Sequence, residues 1–275
     1  MKTSAFRAFL LLSLAVGFVT LAALLYQVFS QGLPWLDGLL LTGIPSSVPD
    51  EAGARPAILA TIEIGLLLLA FVVPIGVGTA IYLEEYANTE RWYTRLLEIN
   101  IANLAAVPSI VYGILGLAFI VRGLDLGRVL LAGAMILTLL VLPTVIIASR
   151  EAIRAVPGTI REGAYALGAT RWQVVWRQVL PAALPGIATG SILALSRALG
   201  ETAPLIMIGA LTYVPFNPTL LGEFTALPVQ IYDWIAQPSD DFRSLAAAGI
   251  IVLLGIVLTL NALAILLRNR YQKRW

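Results

Sequence analysis

The feature that most constrains this chain is its series of long apolar runs, separated by short charged or proline-rich breaks. About 20 consecutive apolar residues span a bilayer as one helix. Runs of that kind cover residues 8–29, 56–83, 99–121, 128–149, 182–210 and 244–267. Inside lipid every backbone N–H and C=O needs an internal partner, so these runs fold as helices. The expected fold class is therefore all-α, a polytopic membrane protein with six transmembrane helices. Lys2 and Arg7 before the first run resemble the start of a signal peptide. That run is longer than a signal core and lacks a clear small-residue cleavage site, so an uncleaved span is expected. The composition agrees, with 59% hydrophobic and only 12% charged residues.

Six spans place both termini on one side, and basic residues decide which. With cytoplasmic termini, the inner segments hold Lys2, Arg7, Arg91, Arg95, Arg150, Arg154, Arg161, Arg171, Arg177, Arg268, Arg270, Lys273 and Arg274. The outer segments hold only Arg55, Arg122, Arg128 and Arg243. The bias puts residues 150–181 inside and residues 30–55 and 211–243 outside. Residues 30–55 are too rich in Gly and Pro to span. Residues 84–98 read as a short interfacial helix. Residues 225–237 read as an amphipathic helix starting at Pro228, laid on the bilayer or against an external partner. Trp172, Trp176, Trp234 and Trp275 fall near span ends, where an aromatic belt is expected. Gly186 and Gly190 form a GxxxG, a signal for close helix packing.

The chemistry available is narrow. The chain has no Cys and no His, which excludes disulfides and thiolate metal sites and removes the commonest general base. No cofactor or metal is expected. A net charge of +2 gives no reason to expect a nucleic-acid partner. No GxxxxGK[ST] is present, so any ATP hydrolysis belongs to another subunit. Three charged residues lie well inside the expected spans: Glu63, Arg197 and Glu201. Such burial costs roughly 2.5–3.5 kcal/mol on insertion scales, so a pathway or a buried partner must offset it. Arg197 and Glu201 stand four apart on one helix face and can pair. They line a pathway or hold two helices together. Glu63, close to Pro56, fits the membrane surface as well as a functional site.

Residues 159–181 break the apolar pattern with a pattern of their own. Thr159 with Glu162, and Thr170 with Gln173, have the spacing of capping boxes. Ile160, Ala164 and Leu167 form one apolar face, and Trp172, Val175 and Val179 a second. Gly168 suits a positive-φ cap between two short helices, and Leu180-Pro181 is expected to close the second. A paired helix of this kind between spans serves as a docking surface or as an ordinary connection.

This stretch resembles the EAA loop of bacterial ABC-transporter permeases, with Glu162, Ala164, Gly168, Leu180 and Pro181 at matching positions. Gly163 and Gln178 depart from that pattern. The stretch 196–205, SRALGETAPL, narrows the resemblance, together with EGAYALGAT, FTALPVQIYDWI, AAVPSIVYG and LEEYA. Together they resemble the A-type permease subunit of phosphate-specific (Pst) ABC importers, over most of residues 56–267. The resemblance implies the type I importer permease fold and no enzymatic activity in this chain. It implies a cytoplasmic-membrane complex with two ATPase subunits, a second, C-type permease and a periplasmic or surface phosphate-binding protein, all set in membrane lipid. Ser196, Arg197, Glu201 and Thr202 are the pathway residues it implies. Ile160, Glu162, Ala164, Leu167 and Gly168 are the coupling residues. The chain then divides into an N-terminal span and external loop (1–55), a permease core (56–267) and a basic tail (268–275). Permeases for molybdate or sulfate are the nearest alternatives. An intramembrane enzyme or a scaffold without a pathway is more distant.

Overall fold

The computed structural model describes residues 2–88 and 90–271, with side chains described from residue 6 onward except at 267 and 271. Lys273, Arg274 and Trp275, and the side chain of Lys2, lie outside the described residues.

Helix α1 (Lys2–Gly32) is followed by a short external segment carrying α2 (Gly38–Thr42). Asp37 starts α2 by accepting from Leu40 N at 2.8 Å. Helix α3 (Arg55–Ile81) runs on through a π-helical turn, Tyr82–Tyr86. Helices α4 (Trp92–Ala105) and α5 (Ser109–Gly116) follow, the latter extended by a π-helical turn to Gly123. Then come α6 (Leu130–Arg154), α7 (Gly158–Ala166) and α8 (Arg171–Val174). A third π-helical turn, Val175–Val179, joins α8 to α9 (Leu180–Leu199) without a break. Helices α10 (Ala203–Ile208), α11 (Leu227–Ala236) and α12 (Asp240–Tyr271) complete the chain. The described residues include five helices long and apolar enough to cross a membrane, or six if α4 and α5 count as one bent crossing.

Helix α6 is the centre of the bundle, clasped by α3 on one side and α9 on the other. Leu68 and Val72 of α3, Leu137 and Val141 of α6, and Leu195 and Leu199 of α9 fill one core. Lipid tails are as apolar as these side chains, so close packing rather than water exclusion holds such helices together. Small residues provide it. A Cβ at Gly190 would sit 2.3 Å from the Ala148 Cβ, and one at Gly186 would sit 2.6 Å from the Ala152 Cβ. The GxxxG thus seats α9 directly on α6. Helix α1 is peripheral. It packs along α12, and its leucines and phenylalanines are exposed around the whole helix.

Five sequence expectations differ from the structure. Residues 84–98 are not one interfacial helix, because α3 continues to Tyr86 and a separate helix starts at Trp92. The run 99–121 is not straight. It bends by 106° around Pro108, whose ring excludes helical geometry from the residue before it. The run 182–210 breaks at Gly200–Thr202, because Pro204 has no N–H to give the Gly200 carbonyl and its ring would clash there. Leu180-Pro181 does not end a helix. The wide π-helical turn just before Pro181 makes room for its ring, and the helix runs on. The amphipathic helix at 225–237 forms as α11, but its apolar face rests on neither lipid nor partner. Leu227, Ile231 and Trp234 pack against α12 and the external segment, so Trp234, 2% exposed, belongs to no aromatic belt.

Candidate translocation and coupling sites

Arg197 lies in the last turn of α9, where the unpaired C-terminal carbonyls favour a cation. Its side chain is 54% exposed, on the same face of α9 as exposed Thr189 and Leu193. Glu201 follows the end of the helix, and its Oε1 lies 3.7 Å from Arg197 Nε. That distance is an ion pair but not a hydrogen bond. The guanidinium is therefore not locked in place, and its fork is open toward the exposed face. A charge on such a face in lipid is costly, so this face belongs against another protein surface or an aqueous path. The break at Gly200–Thr202 argues the same way, since non-helical backbone at membrane depth persists only where protein or water satisfies it.

The structure brings together two of the stretches that sequence analysis singled out. Helix α5, from AAVPSIVYG, packs on α10, from SRALGETAPL. A Cβ at Gly113 would lie 2.9 Å from Pro204 Cα, so glycine is what permits the contact. Thr202 is half-buried at the break and its carbonyl accepts from Ile206 N at 3.1 Å. Ser196 Oγ lies 2.9 Å from both Ile192 O and Asn261 Oδ1, and its one proton can serve either. Asn261 of α12 is a neighbour that sequence reasoning missed, because nothing in the sequence pairs it with α9. Seven residues along each helix, Arg268 Nη1 donates to Thr189 Oγ1 at 2.8 Å. These two polar rungs fix the antiparallel register of α9 and α12. Glu63 stands apart from Arg197, half-buried at a shallow cavity with Leu66, Leu67, Pro218, Thr219 and Leu220.

The segment expected to couple to the ATPase, residues 159–181 and called the coupling segment below, is a true helix–Gly–helix unit. Gly168 has φ +79°, and Gly168 N and Ala169 N close the end of α7 onto Tyr165 O and Ala164 O. Thr170 and Gln173 form the expected capping box. The box expected at Thr159 does not form, because α7 already starts at Gly158, with Pro157 in the cap position and no side-chain cap. The apolar face also divides. Ile160 and Ala164 are half-buried against Ile153, Val156 and Val174 of the chain itself. Leu167 points away and is 91% exposed, as are, to lesser extents, Trp172, Trp176 and Tyr165. Glu162 is exposed as well. In the second helix Val174, not Trp172, completes the buried stripe with Val175 and Val179.

What holds this unit is the turn at the end of α3, a role the sequence did not reveal. Glu85 is buried and accepts from Arg161 Nη2 at 2.8 Å and Nε at 3.1 Å. Arg161 also donates to Val156 O and Ile153 O, which uses most of its fork. Glu84 accepts from Arg150 and Arg154 of α6, and Arg150 reaches Glu98 of α4. Arg171 lies 5.0 Å over the Tyr86 ring. The π-helical geometry lets adjacent Glu84, Glu85 and Tyr86 reach three different partners. Removing one member of a buried pair strands the other, at a cost of about 3–5 kcal/mol. Glu85→Ala should therefore loosen the coupling segment, seen as new protease cleavage between residues 155 and 175 in purified protein. Adding Arg161→Met should restore much of the protection, since no charge is then stranded. Unchanged cleavage in the single variant would remove Glu85 from this role.

Similarity to known proteins agrees with this architecture. Residues 73–274 match the family described as binding-protein-dependent transport system inner membrane component. A phosphate transport system permease protein PstA 1 of Mycobacterium tuberculosis is 30% identical over 97% of this chain and 88% of its own length. A phosphate transport system permease protein PstC of Xylella fastidiosa is 32% identical over 95% of this chain and 88% of its own. Among solved structures, a bacterial alginate ABC transporter in complex with its alginate pentasaccharide-bound periplasmic protein has a TM-score of 0.69 at 18% identity, covering 99% of this chain and 96% of that one. That likeness concerns the fold. A helical multi-pass architecture, the type I importer permease fold and a match over most of the sequence lead to one assignment: the chain belongs to the family of binding-protein-dependent transport system inner membrane components, as a permease subunit of an ABC importer.

Proposed function

We propose that this chain forms half of the translocation pathway of an ATP-driven inorganic phosphate importer. The observation that carries this reading is an open arginine fork, Arg197, on the exposed face of a discontinuous spanning helix. A guanidinium of that kind matches a tetrahedral oxyanion through two parallel N–H···O bonds. The near full-length similarity to permeases named for phosphate supports phosphate over other oxyanions. Similarity to both a PstA and a PstC supports pairing with a related second permease. Exposed Leu167, Trp172 and Trp176 are the surface for an ATPase subunit, and a soluble binding protein delivers the anion from outside. Cells lacking this chain should lose high-affinity phosphate uptake. Restored uptake should resist excess sulfate and molybdate, and strong competition by either would reassign the cargo.

In this reading residues 1–55 are an added peripheral span and external loop, 56–267 the permease core and 268–275 a cytoplasmic tail. The family match covers residues 73–274 and α1 packs mainly on α12, which supports reading residues 1–55 as peripheral. Both termini and the coupling segment face the cytoplasm, following the basic bias. The chain has no native Cys, so single introduced thiols report cleanly. A thiol at position 165 should resist an impermeant reagent in intact cells, and one at position 47 should react. The opposite pattern would invert the topology.

A further inference from the structure

A sizeable cavity lies at the end of the bundle opposite the coupling segment. It measures about 600 Å3 and lies between the residues preceding α3, the start of the 211–226 loop, α11 and the beginning of α12. Its walls combine two carboxylates, Asp233 and Glu51, with the rings of Tyr213, Trp234 and Phe242. Among the described residues no Lys or Arg lines it. Asp233 is half-buried on α11, and neither it nor Glu51 takes part in an ion pair among the described residues. Burial pushes the Asp233 carboxyl above the usual carboxylate range, and a hydrogen bond to Gln237 offsets only part of this. Gln230, also on the wall, is satisfied once its amide is turned so that the nitrogen donates to Thr212 O at 3.0 Å and the oxygen accepts from Trp234 Nε1 at 3.2 Å. The wall is therefore pre-organised, with two carboxylates left without a cation.

We propose that this cavity is the socket for a basic side chain, an arginine or lysine, of the soluble binding protein that docks on the outer face. Carboxylates supply the counter-charge and aromatic faces supply cation–π attraction. Arginine anchors are enriched at such interfaces, and complementary charge steers docking. The cavity is formed by the external loops, where a delivering protein arrives, and α11 is braced from behind by α12 and α3. Thr61 Oγ1 of α3 accepts from Leu227 N at 2.8 Å and fixes the start of α11. The socket thus stands on a rigid support connected to the core.

The socket rests on the phosphate reading for the identity of its partner. The test is titration of the assembled importer, held in lipid nanodiscs, with phosphate-loaded binding protein at several ionic strengths. Asp233→Asn should weaken binding at least about tenfold and flatten its salt dependence, since a partly desolvated charge pair is lost. Asp233→Glu should retain most of the affinity, and Tyr213→Ala should weaken binding without changing the salt slope. Recovery of both permeases and the ATPase should be the same for all three. Wild-type affinity and salt slope in Asp233→Asn would overturn the proposal. So would loss of the second permease from that variant, which would make the cavity a seam between subunits. Failure of the wild-type complex to bind phosphate-loaded protein would instead refute the phosphate reading.

Discussion

Replacing Arg197 by Ala should abolish phosphate uptake while the assembled complex and its ATP hydrolysis survive. The geometry separates this outcome from a structural one. A structural ion pair would be buried and hydrogen-bonded, whereas Arg197 is 54% exposed and stands 3.7 Å from Glu201. Compare Arg161, whose fork is spent on Glu85 and two carbonyls. Hydrogen bonds to a charged group contribute about 1.5–3 kcal/mol each, so losing two from a bound oxyanion is a loss of roughly a hundredfold or more. Arg197→Lys should also fail largely, because a point charge cannot supply the fork. Glu201→Gln should impair uptake less, since the carboxylate steadies the empty guanidinium and repels the anion toward release. The measurement is uptake alongside the amount of complex for each variant. Full uptake by Arg197→Ala would end the transport role. Lost uptake matched by lost complex, with partial recovery on exchanging the two residues, would return the pair to a structural role.

The second large effect is expected at the coupling segment, at a different residue from the one spacing alone suggests. Leu167→Asp should leave insertion and folding intact but abolish association with the ATPase subunit. Leu167 is 91% exposed at the tip of α7, so the described residues cover almost none of it. A large apolar residue presented there, beside Trp172 and Trp176, marks a surface that a partner covers. An aspartate would then be buried unpaired at that contact, which costs several kcal/mol. Ala164→Asp should behave differently, because Ala164 packs against the chain's own cluster. It should lower the yield of folded permease as well as ATPase recovery. At Gly168 an added Cβ meets nothing within 4 Å, so substitution costs only left-handed strain, about 1–2 kcal/mol. Co-purification of the ATPase with each variant, normalised to permease yield, distinguishes the cases. Normal recovery with Leu167→Asp would move the docking surface elsewhere.

The sequence by itself determined the helical class, the approximate spans and the glycine hinge of the coupling segment. These follow from local rules: apolar length against bilayer thickness, and the steric freedom of Gly168 at φ +79°. It also determined that α9 packs closely on some neighbour through Gly186 and Gly190; that the neighbour is α6, through Ala148 and Ala152, was left to the tertiary structure. Only the tertiary structure decided which way amphipathic faces point. Ile160, Ala164 and Leu167 share one stripe, yet the first two turn inward and the third outward, because the cluster at the end of α6 covers only one turn of α7. Only the tertiary structure decided which polar residues meet. Glu85 with Arg161, Ser196 with Asn261 and Thr189 with Arg268 are 65 to 79 residues apart, a separation that leaves no periodic trace in the chain. The breaks at Pro108 and Pro204 lie between. Each proline is visible in the sequence, but a helix in lipid either bends through a proline or stops there, and neighbouring helices decide which by satisfying the freed backbone groups.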